Sequence, residues 1–88
     1  MTAREMLEAK GYKVMTDNVL YLVYKLHEPE EGNLYISFDK ARKTVKSTCD
    51  VFISDKILEN LPCDLDMYEL RAVIKQCEEL GWSNASNN

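Results

Sequence analysis

The sequence predicts an α+β domain of the order α-β-β-β-β-α: a four-stranded antiparallel meander with the N- and C-terminal helices packed on one face. Three observations predict it. Helix boundaries are written at both ends of the chain, as T-x-x-E at Thr2–Glu5 and D-x-x-E at Asp66–Glu69, and the helices close on Gly11-Tyr12 and Gly81-Trp82. Between those helices apolar residues recur with a period of two, the signature of half-buried strands. The connections between alternating runs are short and rich in turn residues, which favours neighbouring antiparallel strands.

The first helix starts where the Thr2 hydroxyl can accept from the Glu5 N–H and the Glu5 carboxylate can reach back to the Thr2 N–H. Ala3, Met6, Leu7 and Lys10 carry its turns, and Tyr12 is placed to pack on Leu7. So short a helix needs tertiary support. From Tyr12 the chain alternates through Met15, and Asp17-Asn18 supplies a turn.

Val19 to Leu26 is the strongest strand, with Leu20, Leu22, Tyr24 and Leu26 expected to face the helices. Its other side, Val19, Tyr21, Val23 and Lys25, is also largely apolar. That composition points to an interior strand or to a second surface that meets something.

His27 to Asn33 concentrates Pro29, Gly32 and three glutamates and is expected as an exposed connection. Leu34, Ile36 and Phe38 then alternate with Tyr35 and Ser37, Asp39 to Arg42 turns the chain, and a fourth strand begins at Lys43. Val45, Ser47, Cys49, Val51 and Ile53 share one face of it, opposite Thr44, Lys46, Thr48 and Asp50, with Phe52 interrupting the polar row. In Ser54 to Asp64, Ile57, Leu58 and Leu61 suggest a short helical turn stopped by Pro62; an irregular segment plugging the edge of the core is the alternative.

The last helix runs from the Asp66 cap to Gly81. Leu70, Val73, Ile74, Cys77 and Leu80 recur at three- and four-residue spacing and are expected to face the core, with Trp82 folding back over Cys77. Residues 1–82 thus read as a single domain. The tail SNASNN, residues 83–88, is polar and of low complexity and is expected to be disordered.

Composition narrows the function classes. A chain of 88 residues with 45% hydrophobic residues makes one domain with one core. The net charge of −4 disfavours general binding to nucleic acid. The longest apolar run, Val19–Tyr24, is far too short to span a bilayer, and with no signal-peptide pattern at the start the expected location is the cytoplasm. Cys49, Cys63 and Cys77 form no C-x-x-C pair and read as reduced thiols.

No catalytic, cofactor-binding or metal-binding set is legible, so an enzyme is not expected. His27 is the sole histidine, no phosphate-binding glycine motif is present, and Glu28, Glu30 and Glu31 lack EF-hand spacing. The candidate interaction face is the outer side of the sheet: Tyr21, Val23, Lys25, Tyr35 and Lys46, with Lys43 in the basic run Lys40–Lys46. Three uses of it are open: an ordinary outer face or homodimer contact, docking of a protein partner, and stacking of a single-stranded nucleic acid on Tyr21 and Tyr35 with phosphates near Lys25 and Lys46.

The stretches TAREMLEAKGY (2–12), LYISFDKARKTV (34–45) and DLDMYELRAVIKQCEELGW (64–82) together resemble a group of small uncharacterised proteins encoded in phages and prophages of Firmicutes. Members similarly begin with a threonine-capped helix ending in Gly-Tyr or Gly-Phe, and finish with an M-x-E-L-x-A-I-like helix ending in Glu-Leu-Gly-Trp. The resemblance implies a phage or prophage origin, hence the host cytoplasm, and an accessory role that modulates or inhibits host machinery such as a defence nuclease. Its motifs are helix caps and core positions, so no catalytic residue is carried over.

Overall fold

A computed structural model describes residues 1–82; the expected disordered tail at 83–88 lies outside the described residues. The elements are α1 (Ala3–Ala9), β1 (Lys13–Asp17), β2 (Tyr21–Glu28), β3 (Gly32–Asp39), β4 (Thr44–Ile53), β5 (Lys56–Pro62) and α2 (Met67–Glu79). The strands form one antiparallel sheet in the order β1-β2-β3-β4-β5. The α+β class and the meander are as expected, and the sheet has a fifth strand.

Both helix starts are capping boxes, with Thr2 and Glu5 bonded reciprocally in α1 and Asp66 and Glu69 in α2. Both stops are Schellman motifs. Gly11 N–H donates to Glu8 O and Tyr12 N–H to Leu7 O; Gly81 N–H donates to Glu78 O and Trp82 N–H to Cys77 O. Trp82 is half-buried, its ring centroid 6.3 Å from that of Phe38.

The fifth strand replaces the expected helical turn at 54–64. Ile53 pairs with Lys56 across the two-residue turn Ser54-Asp55, and β5 then runs back along β4. Leu61 sits opposite Cys49 and Leu58 opposite Val51, so Glu59 and Asn60 together face the single residue Asp50. This bulge puts Asn60 at φ 60°, and Asp50 Oδ1 accepts its N–H at 3.1 Å. It also brings Leu58 and Leu61, three apart, to the same face, which is why a bulged strand carried a helix-like spacing.

Other boundaries move by a few residues for similar local reasons. Leu20, expected to face the helices, lies in the β1–β2 turn and is 53% exposed; Asn18 Oδ1 accepts from the N–H groups of Leu20 and Tyr21 there. His27 is the penultimate residue of β2 rather than part of a loop, because Glu28 pairs with Gly32 and leaves Pro29–Glu31 as the connection. Lys43 closes the β3–β4 turn at φ 57°, and β4 begins after it.

The core is formed by Leu7, Tyr12, Leu22, Tyr24, Ile36, Phe38, Ala72 and Val73. Its residues come from the helices, the α1–β1 junction, β2 and β3. No residue of β4 or β5 is buried, so the helices cover one side of the sheet and leave β4–β5 as an open wing.

The expected inward stripe of α2 is corrected. Val73 is buried and Cys77 and Leu80 partly so, but Leu70 and Ile74 are exposed, and the buried positions are Glu69, Ala72, Val73 and Gln76. The cause is the two core tyrosines. A buried phenol needs a hydrogen-bond partner, and Tyr12 donates to Glu69 while Tyr24 donates to Gln76. Turning Glu69 and Gln76 inward turns Leu70 and Ile74 out. Ala72, fully buried, lies on the same inward side of the helix.

Candidate interaction surfaces

Two surfaces present side chains that the fold itself does not use. The first is the outer sheet face. Register places Tyr21 beside Asp39, Val23 beside Ser37 and then Lys46, and Lys25 beside Tyr35 and then Thr48. Tyr21, Val23, Lys25, Tyr35 and Lys46 therefore share one face, while Lys43 stays in the adjoining turn.

The face is less open than its composition suggests. The Tyr35 hydroxyl donates to Asp50 Oδ2 at 2.9 Å, and Lys25 Nζ stands 5.9 Å from the Tyr35 ring centroid. Burial, and then the Asp50 bond and charge, push the Tyr35 phenol up. Tyr21 is 45% exposed, but it lies four residues along the strand direction from the Lys25–Tyr35 rung, roughly 13 Å away. The two rings do not form a continuous stacking platform. Beside Tyr21 a hollow is lined by Ser37, Thr44 and Thr48 together with Asp39, Arg42 and Lys46. The three ion pairs among the described residues, Arg4–Asp17, Lys10–Asp66 and Lys40–Asp17, leave Lys25 and Lys46 without a carboxylate partner.

The second surface lies on the helix side. At about 100° per residue, Met67 and Ile74 fall on the side of α2 opposite Gln76, and Leu70 and Cys77 on the flank away from Ala72. Met67, Leu70 and Ile74 are 61%, 39% and 51% exposed. Beyond that flank the inner face of the wing carries Val45, Cys49, Val51 and Ile53 from β4 and Leu58 and Leu61 from β5. Val45, Ile53 and Leu58 are 36%, 51% and 45% exposed. A helix ridge and a sheet shelf, both apolar, thus lie side by side without cover.

One feature of the sequence marks this surface. Met67, Leu70 and Ile74 are themselves spaced as a stripe, and Glu69 and Gln76, seven apart, are spaced to share the face of Ala72 and Val73. With two tyrosines destined for the core, that polar pair marks the inward side.

Among the described residues the sole histidine and Cys49 are kept apart. His27 is on the outer face, where Nδ1 lies 2.7 Å from Asn33 Oδ1, whereas Cys49 is on the inner face opposite Leu34. The sheet separates them. All three cysteines are free thiols. Burial and then the neighbouring Cys49 raise the Cys63 thiol, and burial and then Glu78 raise the Cys77 thiol, which keeps both protonated and weakly nucleophilic at neutral pH. Among the described residues no group of three or more His, Cys, Asp or Glu side chains is arranged to hold a metal ion, and no helix is long and apolar enough to cross a membrane.

No family model, curated protein or solved structure matches this chain.

Proposed function

We propose that this protein is a small non-catalytic interaction module, a phage or prophage accessory protein working in the host cytoplasm, and that it makes its protein contacts through α2 and the β4–β5 wing. The supporting observation is the rotation of α2. A helix with a complete apolar stripe at Met67, Leu70 and Ile74 directs it outward and buries Glu69 and Gln76 instead. Contiguous apolar surface of this kind is what interaction sites expose. The outer face, with Tyr35 engaged by Asp50 and Lys25, is the weaker candidate.

The test is affinity capture with the wild type, a Leu70→Asp/Ile74→Asp variant and a Tyr21→Ala/Tyr35→Ala variant. Loss of bound protein in the first variant and retention in the second is expected. Equal recovery by the wild type and the aspartate variant would overturn the proposed surface.

A second reading, single-stranded nucleic acid on the outer face, is favoured by Lys46 standing without a carboxylate partner beside the hollow that the exposed Tyr21 also lines. It requires oligonucleotide binding that weakens with rising salt and with neutralisation of Lys25, Lys43 and Lys46. No binding at low salt dismisses it.

A further inference from the structure

We infer that the occupant of the α2 and β4–β5 surface is a second copy of this chain, related by a two-fold axis; this rests on the interaction-module reading above. The surface has two unequal parts, a helix ridge at Met67, Leu70 and Ile74 and a sheet shelf at Val45, Ile53 and Leu58. The shelf lacks a covering helix, and the ridge lacks a sheet to lie on. Each copy offers one of each, and a two-fold operation sets each ridge on the other copy's shelf. That is an isologous, closed contact.

Placement on α2 agrees with this. Met67 and Ile74 point away from the helix's own sheet, so α2 can be held between its own β2–β3 core and the partner's wing. With roughly half of each of six apolar residues showing, the surface amounts to about 500 Å² per copy, so that two copies bury about 1,000 Å², the size at which specific interfaces begin. The rim adds no like-charge barrier. Exposed Arg71 and Glu78 border the ridge, and exposed Lys56, paired with Ile53, borders the shelf, so Glu78 of one copy has an opposite charge to meet on the other.

The experiment is sedimentation equilibrium of the full chain from micromolar to sub-millimolar concentration, with Ile74→Asp, Leu58→Asp and Tyr21→Asp variants whose folding is checked by circular dichroism. The wild type and Tyr21→Asp are expected to approach twice the monomer mass. A buried aspartate on either the ridge or the shelf is expected to raise the dissociation constant by about a hundredfold or more. In the wild type, isotope-filtered nuclear Overhauser contacts should link Ile74 of one copy to Leu58 of the other, a readout that does not depend on any variant folding. A wild type that stays monomeric throughout, or a dimer broken by Tyr21→Asp and not by Ile74→Asp, overturns the inference. If the wild type is monomeric while Leu70→Asp/Ile74→Asp still abolishes capture of a different protein, the second copy is refuted and the interaction module stands.

Discussion

The Tyr12 hydroxyl donates to Glu69 Oε2 at 2.7 Å inside the core, while Glu69 Oε1 accepts the Asp66 N–H at 2.9 Å. One carboxylate thus serves a buried phenol and a helix cap. It ties the end of α1 to the start of α2, and it sets which way α2 faces.

Tyr12→Phe removes the donor and leaves a buried carboxylate oxygen without its partner, Tyr12 being 2% exposed and Glu69 7%. Hydrogen bonds to charged groups contribute about 1.5–3 kcal/mol, and a loss of that size is expected in urea unfolding. A change below about 0.5 kcal/mol would show that the pair does not hold the helix.

The same tyrosine predicts an alkaline limb of stability. Burial, followed by the Glu69 hydrogen bond and charge, raises the Tyr12 phenol far above its ordinary value of 10.0. The folded form keeps its proton where the unfolded form loses it, so the contribution is complete below about pH 10 and is lost as pH climbs toward the raised folded value. Tyr24, Tyr35 and Lys10 are shifted upward too and act in the same direction. Urea midpoints should fall above pH 10, and less steeply in Tyr12→Phe.

On the acid side the Lys10 hydrogen bond first, and then the backbone bond from Glu69, lower Asp66, and the hydrogen bonds with Thr2 lower Glu5. Carboxylates lowered by folding stabilise above their unfolded values, 3.8 and 4.5, and that support is lost as pH falls through the folded values. Thermal unfolding followed from pH 6 to pH 2 should show a decline that Asp66→Ala reduces.

Gly32 and Gly81 both have positive φ, 145° and 82°, but they should differ when changed to alanine. A Cβ on Gly32 would stand 1.8 Å from Asp50 O, whereas nothing lies within 4 Å of one on Gly81. Gly81→Ala should cost about 1 kcal/mol for its left-handed conformation. Gly32→Ala must push β4 away and should cost more than about 3 kcal/mol or prevent folding. Chemical denaturation compares the two directly, and equal costs would refute the close approach.

Neighbours on α2 should separate sharply in a dilute, monomeric sample. Val73→Ala, at a 6% exposed position, should cost roughly 2 kcal/mol. Ile74→Ser, at a 51% exposed position, should stay within about 0.5 kcal/mol of the wild type. Comparable losses at both sites would place Ile74 in the core.

Much of the fold was written locally. The two capping boxes, the two glycine–aromatic stops and the strands through Leu22–Leu26, Leu34–Phe38 and Val45–Ile53 depend on residues a few positions apart, so periodicity and capping chemistry suffice to read them. The members of the outer face followed from the same alternation, and Tyr21, Val23, Lys25, Tyr35 and Lys46 do share a side of the sheet. β5 escaped because the Glu59–Asn60 bulge shifts the period within the strand.

Helix limits and the residues that share a strand face are legible in the chain itself, because they follow from bonds within a turn and from a period of two. Which stripe of α2 turns inward depends on contacts between distant residues. Apolar spacing alone selects Leu70 and Ile74, but Tyr12 and Tyr24 enter the core with hydroxyls that must be satisfied, and Glu69 and Gln76 can reach them from α2 once it is rotated. A hydrogen bond between residues 57 positions apart leaves no mark in local periodicity. With Glu69 held inward by that bond, Leu70 and Ile74 are left on the exposed side of α2.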